Sequence, residues 1–436
     1  MANAKPTPLN LSARFESAAA AENLTRVSDG TITCPQGFKA AGVHAGFRAD
    51  PNRLDMALVV ADELCAAAGT FTTNVFCSAP VIVSREHLNG TGAGTARAVV
   101  VNSGIANAAT GQVGLQKARE TADIVGGVVG CAAEDVLVAS TGVIGQQLEM
   151  EPFVSGTPAA LAAAGSTIQH GHDTARAIMT TDTVSKECAF TYTSEDPDFE
   201  GAQVTVAGIC KGAGMIMPNM ATMISIITTD APVPAPLAHE ALVEAVGHSF
   251  NKVTVDSDTS TNDTCFLLAS GKAAPGVELQ PESRGYAQFK SALTAVCATL
   301  ARKMAEDGEG ATRLVTVNVA GAASDADADL AARAIANSPL VKTAIFGHDC
   351  NWGRIAAAAG KSGARFNQEE CDIDIMGMPV CRKGLNVVFD EDEALRRFED
   401  PEIIIDVDLG AGNAFTTVWT CDFTHEYVTI NGDYRS

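Results

Sequence analysis

The chain is poor in aromatic residues and in positive charge. Only 5% of its 436 residues are Phe, Trp or Tyr, and 30 Lys and Arg stand against 52 Asp and Glu, a net charge of −22. This balance argues against nucleic acid and against anionic membrane surfaces as partners, because both repel an acidic protein. It does not exclude a small zwitterionic or cationic substrate.

Long apolar runs are also missing. None reaches the roughly 18 residues that a membrane-spanning helix needs, and the N-terminal stretch MANAKPTPLNLSARFE has no apolar signal core. We therefore expect a cytoplasmic protein that does not bind membranes. A hydrophobic content of 46% with 19% charged residues predicts a large packed core. A chain of this length favours an enzyme of two domains or two layers.

Metal-binding patterns are absent from the sequence. The twelve cysteines include no C-x-x-C pair, and most lie in apolar runs, so we expect reduced, buried thiols. His170 and His172 have no third ligand nearby in sequence. Residues 256–260 begin like a calcium loop, but Thr261 stands at its glycine position and Leu267 at its bidentate position. We expect neither a metal nor a cofactor.

Strand-like and helix-like patterns alternate along the chain, which predicts an α/β or α+β fold. Strands are predicted at 98–102, 136–140, 253–255, 265–269 and 314–319, and helices over 237–246 and 289–304. The acidic, proline-containing stretch 194–201 is the best candidate for a linker.

Residues 211–231 read KGAGMIMPNMATMISIITTDA, and the step from Ala221 to Thr222 inside them points to chemistry. Thr222 follows a small residue and precedes a β-branched run, 223–229, that predicts a buried strand. A threonine hydroxyl is a weak nucleophile. Cutting the peptide bond before it frees an α-amine, with an ordinary pKa of about 7.7 to 8.0, that can act as its general base.

Six further segments occur with this one in a distinctive order. They are QGFKAAG at 36–42, NSGIANAATG at 102–111, STGVIG at 140–145, IMTTDT at 178–183, DTSTND at 258–263 and NWGR at 351–354. In these segments and in its C-terminal residues from Cys421 onward, the chain resembles the ornithine acetyltransferase family, also called the glutamate N-acetyltransferases. It departs from the family pattern at Ile105, Ala109 and Cys350.

The resemblance implies a fold and a maturation step. The expected fold has layered sheets and helices of the ornithine acetyltransferase and β-peptidyl aminopeptidase type, similar to the N-terminal-nucleophile enzymes. Self-cleavage between Ala221 and Thr222 would give chains 1–221 and 222–436, the second with a C-terminal subdomain over roughly 310–436. Two copies of each chain are expected to assemble.

It also implies which residues act. Thr222 matches the nucleophile, and Thr141 and Gly142 match the pair that stabilises the oxyanion. Substrate binding carries over to Thr180, Lys211, Thr222, Glu309, Asn431 and Ser436. From the shape of ornithine we infer that Lys211 pairs with an α-carboxylate and Glu309 with the δ-ammonium. On sequence grounds alone, Glu309 would be an exposed loop carboxylate.

The expected reaction moves the acetyl group of N2-acetyl-L-ornithine to L-glutamate through an acetyl-threonine. Whether acetyl-CoA is a second donor stays open. One alternative is a self-processing amidase similar to the β-peptidyl aminopeptidases. Those enzymes use a serine nucleophile, so a threonine at position 222 argues against this alternative. The other is a binding protein on the same fold, which an uncut chain would favour.

Overall fold

The computed structural model describes residues 7–11, 23–217 and 223–433. The chain divides into two compact units. The larger unit comprises Glu22–Asn251 and Asp258–Ala301, and the C-terminal unit comprises Met1–Ala21, Lys252–Ser257 and Arg302–Ser436.

The helices and strands follow one another in mixed order. Through the larger unit they are β1 (Thr25–Arg26), β2 (Phe38–Val43), β3 (Met56–Phe71), α1 (Ala79–His87), β4 (Ala93–Ile105), α2 (Gly111–Val129), β5 (Val136–Val143), α3 (Glu151–Ala163), α4 (Ile168–Ala177), β6 (Lys186–Thr193), β7 (Gln203–Lys211), β8 (Ile224–Thr229), α5 (Ala235–Gly247), β9 (Thr264–Ala269) and α6 (Arg284–Glu306). The chain continues with β10 (Leu314–Ala322), α7 (Asp325–Ala336), α8 (Pro339–Phe346), α9 (Trp352–Gly360), β11 (Asp372–Ile375), β12 (Met378–Arg382), β13 (Leu385–Asn386), α10 (Glu391–Arg397), β14 (Glu402–Asp408), β15 (Ala414–Cys421) and α11 (His425–Gly432).

The strands of the larger unit form one sheet in the order β1-β6-β7-β8-β9-β3-β4-β5, with β2 paired to β3. The long strand β3 pairs with β4 along one edge. Its other edge takes β2 along residues 56–61 and then β9 along residues 66–71. Two neighbouring pairs are parallel, β4 with β5 and β8 with β9.

This sheet is buried on both faces. Successive strand residues point to opposite sides, and in β4 Val99 and Val101 join one apolar cluster while Ala98 and Val100 join another. Near-continuous apolar strands of this kind are typical of a sheet covered by other layers on both faces. All six residues of β8 are buried, which confirms the strand predicted directly after Thr222.

The C-terminal unit has a sheet of its own. Its strands run in the order β13-β12-β11-β14-β10-β15, with β10 parallel to β14. Residues of α7, α8 and α9 pack with this sheet in one apolar cluster that includes Val317, Ile335, Ile345 and Ile405. Among the residues described, no helix is both long and apolar enough to cross a bilayer.

The α/β class predicted from the sequence is confirmed. The predicted strands lie within β4, β5, β9 and β10, and both predicted helices lie within α5 and α6. The strand predicted at 253–255 is wrong, because only Val253 makes a bridge, to Trp419.

The linker predicted at 194–201 is also wrong. This stretch is the hairpin loop between β6 and β7, where Ser194 N donates to Ala202 O at 2.8 Å and Gly201 N donates to Ser194 O at 2.9 Å. Its acidic composition concealed the burial of Asp196 and Phe199, which hold the loop against the rest of the unit.

The twelve cysteines all fall within the described ranges, and each carries a free thiol. Eight of them are buried and four are half-buried. Burial raises the pKa of the Cys65 and Cys265 thiols to about 12. These side chains therefore serve as small apolar packing groups, because the reactive form of a cysteine is the thiolate.

Candidate active site

Thr141 and Gly142 lie near the end of β5, beside the end of the parallel strand β4. Ser103 is opposite Thr141, and Gly104 is opposite Gly142. Gly142 has a φ of +133°, and a Cβ on it would lie 2.2 Å from the carbonyl carbon of Gly104. Glycine is therefore required by the close approach of the two strands.

A buried polar network fixes that turn. Ser140 Oγ donates to Asn102 Oδ1 at 2.6 Å. Asn262 Nδ2 donates to Ser140 O at 2.7 Å and to Ala106 O at 2.6 Å, while Thr261 Oγ1 donates to Asn262 Oδ1 at 2.6 Å. Three segments that are far apart in sequence thus meet at one point. Their amide and hydroxyl side chains satisfy backbone carbonyls that would be costly to bury unpaired.

Asp182 organises the second part of the larger unit's candidate site. Its side chain has no exposed surface, and Oδ1 accepts from Lys186 Nζ and from Gly212 N, both at 2.6 Å. Oδ2 accepts from Thr180 N at 3.0 Å. Thr180 and the backbone directly after Lys211 are therefore held by one carboxylate.

The charge state of Asp182 follows from its neighbours. Burial alone would raise its pKa, but the charges of Lys186 and Lys211 and the hydrogen bonds from Lys186 and Gly212 hold the pKa well below the usual range. Asp182 is therefore a carboxylate at neutral pH. Sequence analysis missed both Asp182 and Lys186, because i, i+4 spacing indicates an ion pair only in a helix and residues 182–186 are not helical.

Two arginines tie the Thr180 segment to its surroundings. Arg53 Nη2 donates to Thr180 O at 3.0 Å, and Arg48 Nη2 donates to Met179 O at 3.2 Å. Arg48 Nε also lies 3.4 Å from Ser103 Oγ, next to the turn that contains Gly142. Arg48 thus joins the Thr180 segment to the turn at Gly142 within the larger unit.

Lys211 lies at the end of β7, directly opposite Ile224 at the start of β8. Only 9% of Lys211 is exposed. The parallel partner strand β9 begins at Thr264, which pairs with Ile224 and whose N–H donates to Met223 O at 2.9 Å. This register brings a buried cation, the first residues of β8 and the residue before β9, Asp263, to the same end of the sheet.

Asp263 is a buried carboxyl at that end, 2% exposed. Within the part of the chain that the structure describes, no group hydrogen-bonds its Oδ2. Burial raises the pKa of Asp263 well above its usual range, although the Met223 N–H, the charge of Lys211 and the hydroxyls of Thr72 and Ser260 all act to lower it. Asp263 is therefore uncharged over part of the range in which an ordinary aspartate is ionised.

Glu309 and Asn431 meet in the C-terminal unit. Asn431 Nδ2 donates to Glu309 Oε2 at 2.7 Å and to Tyr427 O at 3.0 Å. Glu309 is only 8% exposed, so the expectation of an exposed loop carboxylate is wrong. The reason is its neighbour Gly310, with a φ of +70°, whose missing side chain lets the backbone of α11 approach. A Cβ there would lie 2.6 Å from Tyr427 N.

Three predicted site residues, Ala221, Thr222 and Ser436, lie outside the described residues. Thr141, Gly142, Thr180 and Lys211 fall in the larger unit, and Glu309 and Asn431 in the C-terminal unit. In the described ranges, His, Cys, Asp and Glu side chains form no group of three or more that could hold a metal ion.

Sequence comparisons with known proteins cover nearly the whole length of this chain. The model of the ArgJ family matches residues 39–436. The arginine biosynthesis bifunctional protein ArgJ of Dehalococcoides mccartyi is 46% identical over 413 residues, which are 94% of this chain and 98% of that protein. The protein of the same name from Chlorobaculum tepidum is 47% identical over 402 residues, 92% of this chain and 96% of that protein. A crystal structure of ornithine acetyltransferase complexed with ornithine, from Mycobacterium tuberculosis, is 35% identical and covers 46% of this chain and 100% of that chain, with a TM-score of 0.40.

Proposed function

Because the chain belongs to the ArgJ family, we propose that it is an acyltransferase of arginine biosynthesis. It transfers the acetyl group of N2-acetyl-L-ornithine to L-glutamate and releases L-ornithine and N-acetyl-L-glutamate. One amide is exchanged for another, so the reaction needs neither ATP nor a cofactor.

Maturation comes first in this proposal. The chain cuts itself between Ala221 and Thr222, giving an N-terminal chain, 1–221, and a C-terminal chain, 222–436. The cut supplies the α-amine that Thr222 needs as general base. We propose further that two copies of each chain assemble in the cytoplasm.

Transfer then proceeds in two balanced half-reactions. Thr222 Oγ attacks the acetyl carbonyl carbon, and its proton passes to the α-amine of Thr222. The bond between that carbon and the ornithine nitrogen breaks, and the nitrogen takes the proton. The α-amine of glutamate then attacks the acetyl ester, the bond to Oγ breaks, and Oγ recovers a proton from that amine.

The oxyanion of each half-reaction is assigned to Thr141 and Gly142. A hydroxyl and a backbone N–H are suitable donors, and one such donor commonly contributes about 3 to 4 kcal/mol. The fixed turn at Gly142, held by the Asn102 and Asn262 side chains, supports this assignment. Preorganised donors cost no rearrangement when the negative charge develops.

Charged substrate groups are assigned by chemistry. Lys211 and Thr180 bind the α-carboxylate that both substrates share, and the common anchor at Asp182 supports their joint role. Glu309 binds the δ-ammonium of ornithine, and Asn431, which already bonds its Oε2, orients it. Ser436 supplies a neutral hydrogen bond that tolerates either substrate.

The observation that carries the proposal is the register at the start of β8. Lys211 is buried opposite Ile224, and Thr222 is two residues before Ile224 in the sequence, which supports the assignment of Lys211 to the substrate carboxylate.

The first experiment is intact mass and denaturing gel electrophoresis of the purified protein. Two fragments of 221 and 215 residues are expected from the wild type, and one uncut chain from Thr222→Ala. A full-length wild-type chain with full activity would refute the role of Thr222.

The second experiment supplies N2-acetylornithine or acetyl-CoA as the donor, with glutamate as acceptor. Transfer from N2-acetylornithine supports the proposal, and release of free acetate without transfer favours the amidase alternative. The name "bifunctional" given to the relatives motivates the acetyl-CoA arm. Activity there would add a second donor to the same acetyl-threonine route.

A further inference from the structure

The acceptor of the transfer reaction carries a charge to which no residue has been assigned. L-Glutamate has two carboxylates, whereas N2-acetyl-L-ornithine has one carboxylate and one ammonium. Lys211 and Thr180 are assigned above to the carboxylate that both substrates share, and Glu309, assigned to the ammonium, would repel the second carboxylate of glutamate. An enzyme that accepts glutamate therefore needs a second cationic group.

Arg53 lies against the Thr180 segment and has the chemistry of such a group. Its Nη2 donates to Thr180 O at 3.0 Å, and the residue is exposed. A guanidinium has five N–H donors. The residues that the structure describes engage only one of them and form no ion pair with Arg53. The planar fork of N–H groups matches the two oxygens of a carboxylate.

Arg48, the other arginine of this loop, is engaged differently. It is half-buried, and its Nη2 and Nε contact Met179 O and Ser103 Oγ. Arg48 therefore holds two segments of the protein together, and Arg53 is the more exposed guanidinium of the pair.

The loop that carries Arg53 is fixed at several points. Arg53 N donates to Asp50 O at 3.2 Å, and His44 Nδ1 donates to Arg53 O at 2.9 Å. The fully buried Asp55 closes the loop, because its carboxylate accepts from Arg48 N at 2.9 Å. A cation on a fixed backbone loses less freedom when it binds a ligand, which favours binding.

Hydrogen bonds connect Arg53 to the segment of the cation assigned to the α-carboxylate. Thr180 O accepts from Arg53, and Thr180 N donates to Asp182 Oδ2. Asp182 Oδ1 accepts from Gly212 N, in the residue after Lys211. The segments of the two cations are therefore joined through Thr180 and one buried carboxylate.

We propose that Arg53 binds the γ-carboxylate of glutamate and thereby selects glutamate as the acceptor. The proposal rests on the transfer reaction proposed above and deepens it, because it names a residue that distinguishes the acceptor from the donor. Arg53 takes no part in the bond changes of either half-reaction and determines specificity only. Glutamine, which has the same length without the charge, is the acceptor that Arg53 disfavours.

The test compares three variants with the wild type. Arg53→Met removes the charge and keeps an unbranched side chain, and Arg53→Lys keeps the charge without the planar fork. The matched control is Arg26→Met, which removes the same charge from an exposed arginine of β1 in the same unit.

Two steps are measured for each protein. The first is release of ornithine from N2-acetylornithine in a single turnover, and the second is acetyl transfer to glutamate or to glutamine. Arg53→Met should lower kcat/KM for glutamate by about 10- to 100-fold, as expected for loss of a hydrogen bond to a charged group, and chiefly through KM. Ornithine release and transfer to glutamine should change little. Arg53→Lys should recover part of the preference for glutamate, and Arg26→Met should match the wild type.

Ionic strength provides a second readout. Because Arg53 is exposed, salt screens its attraction for a carboxylate. The KM for glutamate should therefore rise with salt in the wild type and rise less in Arg53→Met. Thermal melting checks that each variant is folded. If Arg53→Met misfolds, the wild type decides, and a KM for glutamate that does not depend on salt overturns the proposal.

Two results with folded Arg53→Met would also overturn the proposal. Equal losses of ornithine release and of transfer would mean that Arg53 only holds Thr180 in place. A ratio of glutamate to glutamine activity equal to that of the wild type would mean that Arg53 does not read the charge. Both results leave the transfer reaction intact, whereas a wild-type protein that transfers no acetyl group from N2-acetylornithine would refute the proposed function.

Discussion

Replacing Asp182 with alanine should destabilise the larger unit strongly. The change removes the partner of Lys186, whose side chain is fully buried, and leaves two backbone donors, Thr180 N and Gly212 N, without an acceptor. Breaking a buried ion pair by removing one partner costs about 3 to 5 kcal/mol. In a protein of this size that corresponds to a fall in Tm of roughly 3 to 6 °C.

A double variant separates the charge from the packing. Lys186→Met keeps the volume of the buried side chain and removes its charge, so Asp182→Asn with Lys186→Met replaces the pair by neutral groups. Such replacements are often nearly neutral. The double variant should therefore be less destabilised than the sum of the single variants, by about 1 to 3 kcal/mol of coupling.

The assays are calorimetry and urea titration of the wild type, Asp182→Ala, Asp182→Asn, Lys186→Met and the double variant. Because the pKa of Asp182 is lowered by folding, its contribution to stability is present above the ordinary pKa of about 3.9 and is lost as pH falls through the lower folded value. The Tm difference between wild type and Asp182→Asn should shrink in that acid window. A fall below 2 °C for Asp182→Ala, or strict additivity in the double variant, would contradict the pairing.

Three further outcomes follow from the described contacts. Gly142→Ala should reduce kcat by at least about 100-fold, because the added Cβ would clash with the Gly104 backbone and displace the proposed oxyanion donor. The control is Gly145→Ala, since Gly145 also has a positive φ but a Cβ there would meet nothing within 4 Å. Comparable losses of kcat in the two variants, measured in steady-state assays, would refute the steric reason. Glu309→Gln should slow acetyl-enzyme formation from N2-acetylornithine more than deacylation by glutamate in single-turnover assays, and equal losses would mean a shared or structural role. Cys265, with a thiol pKa raised by burial to about 12, should resist iodoacetamide at pH 8 in the folded protein, and rapid alkylation seen by mass spectrometry would show that the thiol is accessible.

Most of the fold could be predicted because several strands have a clear pattern in the sequence. β4, β5, β8 and β9 each contain a short stretch rich in β-branched and apolar residues that is buried on both faces, and such stretches predict strands. The stretch at 253–255 has the same composition, yet it makes only one bridge, since pairing depends on a partner that sequence periodicity does not reveal. The prediction of a linker at 194–201 is wrong for a related reason. The burial of Phe199 depends on tertiary contacts, which the local sequence does not show.

The candidate site was only half predictable. The resemblance to the family supplied six described site residues, Thr141, Gly142, Thr180, Lys211, Glu309 and Asn431. Their side chains alone do not explain the geometry of the site, because other residues hold them in position. Asp182, Arg48 and Asn262 hold the segments of Thr141, Thr180 and Lys211 in place. Nothing local in the sequence distinguishes a supporting carboxylate or amide from a solvated one. Burial decides that question, and burial is a property of the folded chain.

The charged groups around Lys211 together determine the net charge at this end of the sheet. Asp182 is already balanced by Lys186, with which it forms a fully buried pair. Burial raises the pKa of Asp263, the other carboxyl whose pKa responds to Lys211, well above its usual range and so favours its neutral form. An ionised Asp263 would cancel the charge of Lys211, whereas a neutral one leaves a net positive charge at this end of the sheet. A net positive charge of this kind favours the binding of an α-carboxylate.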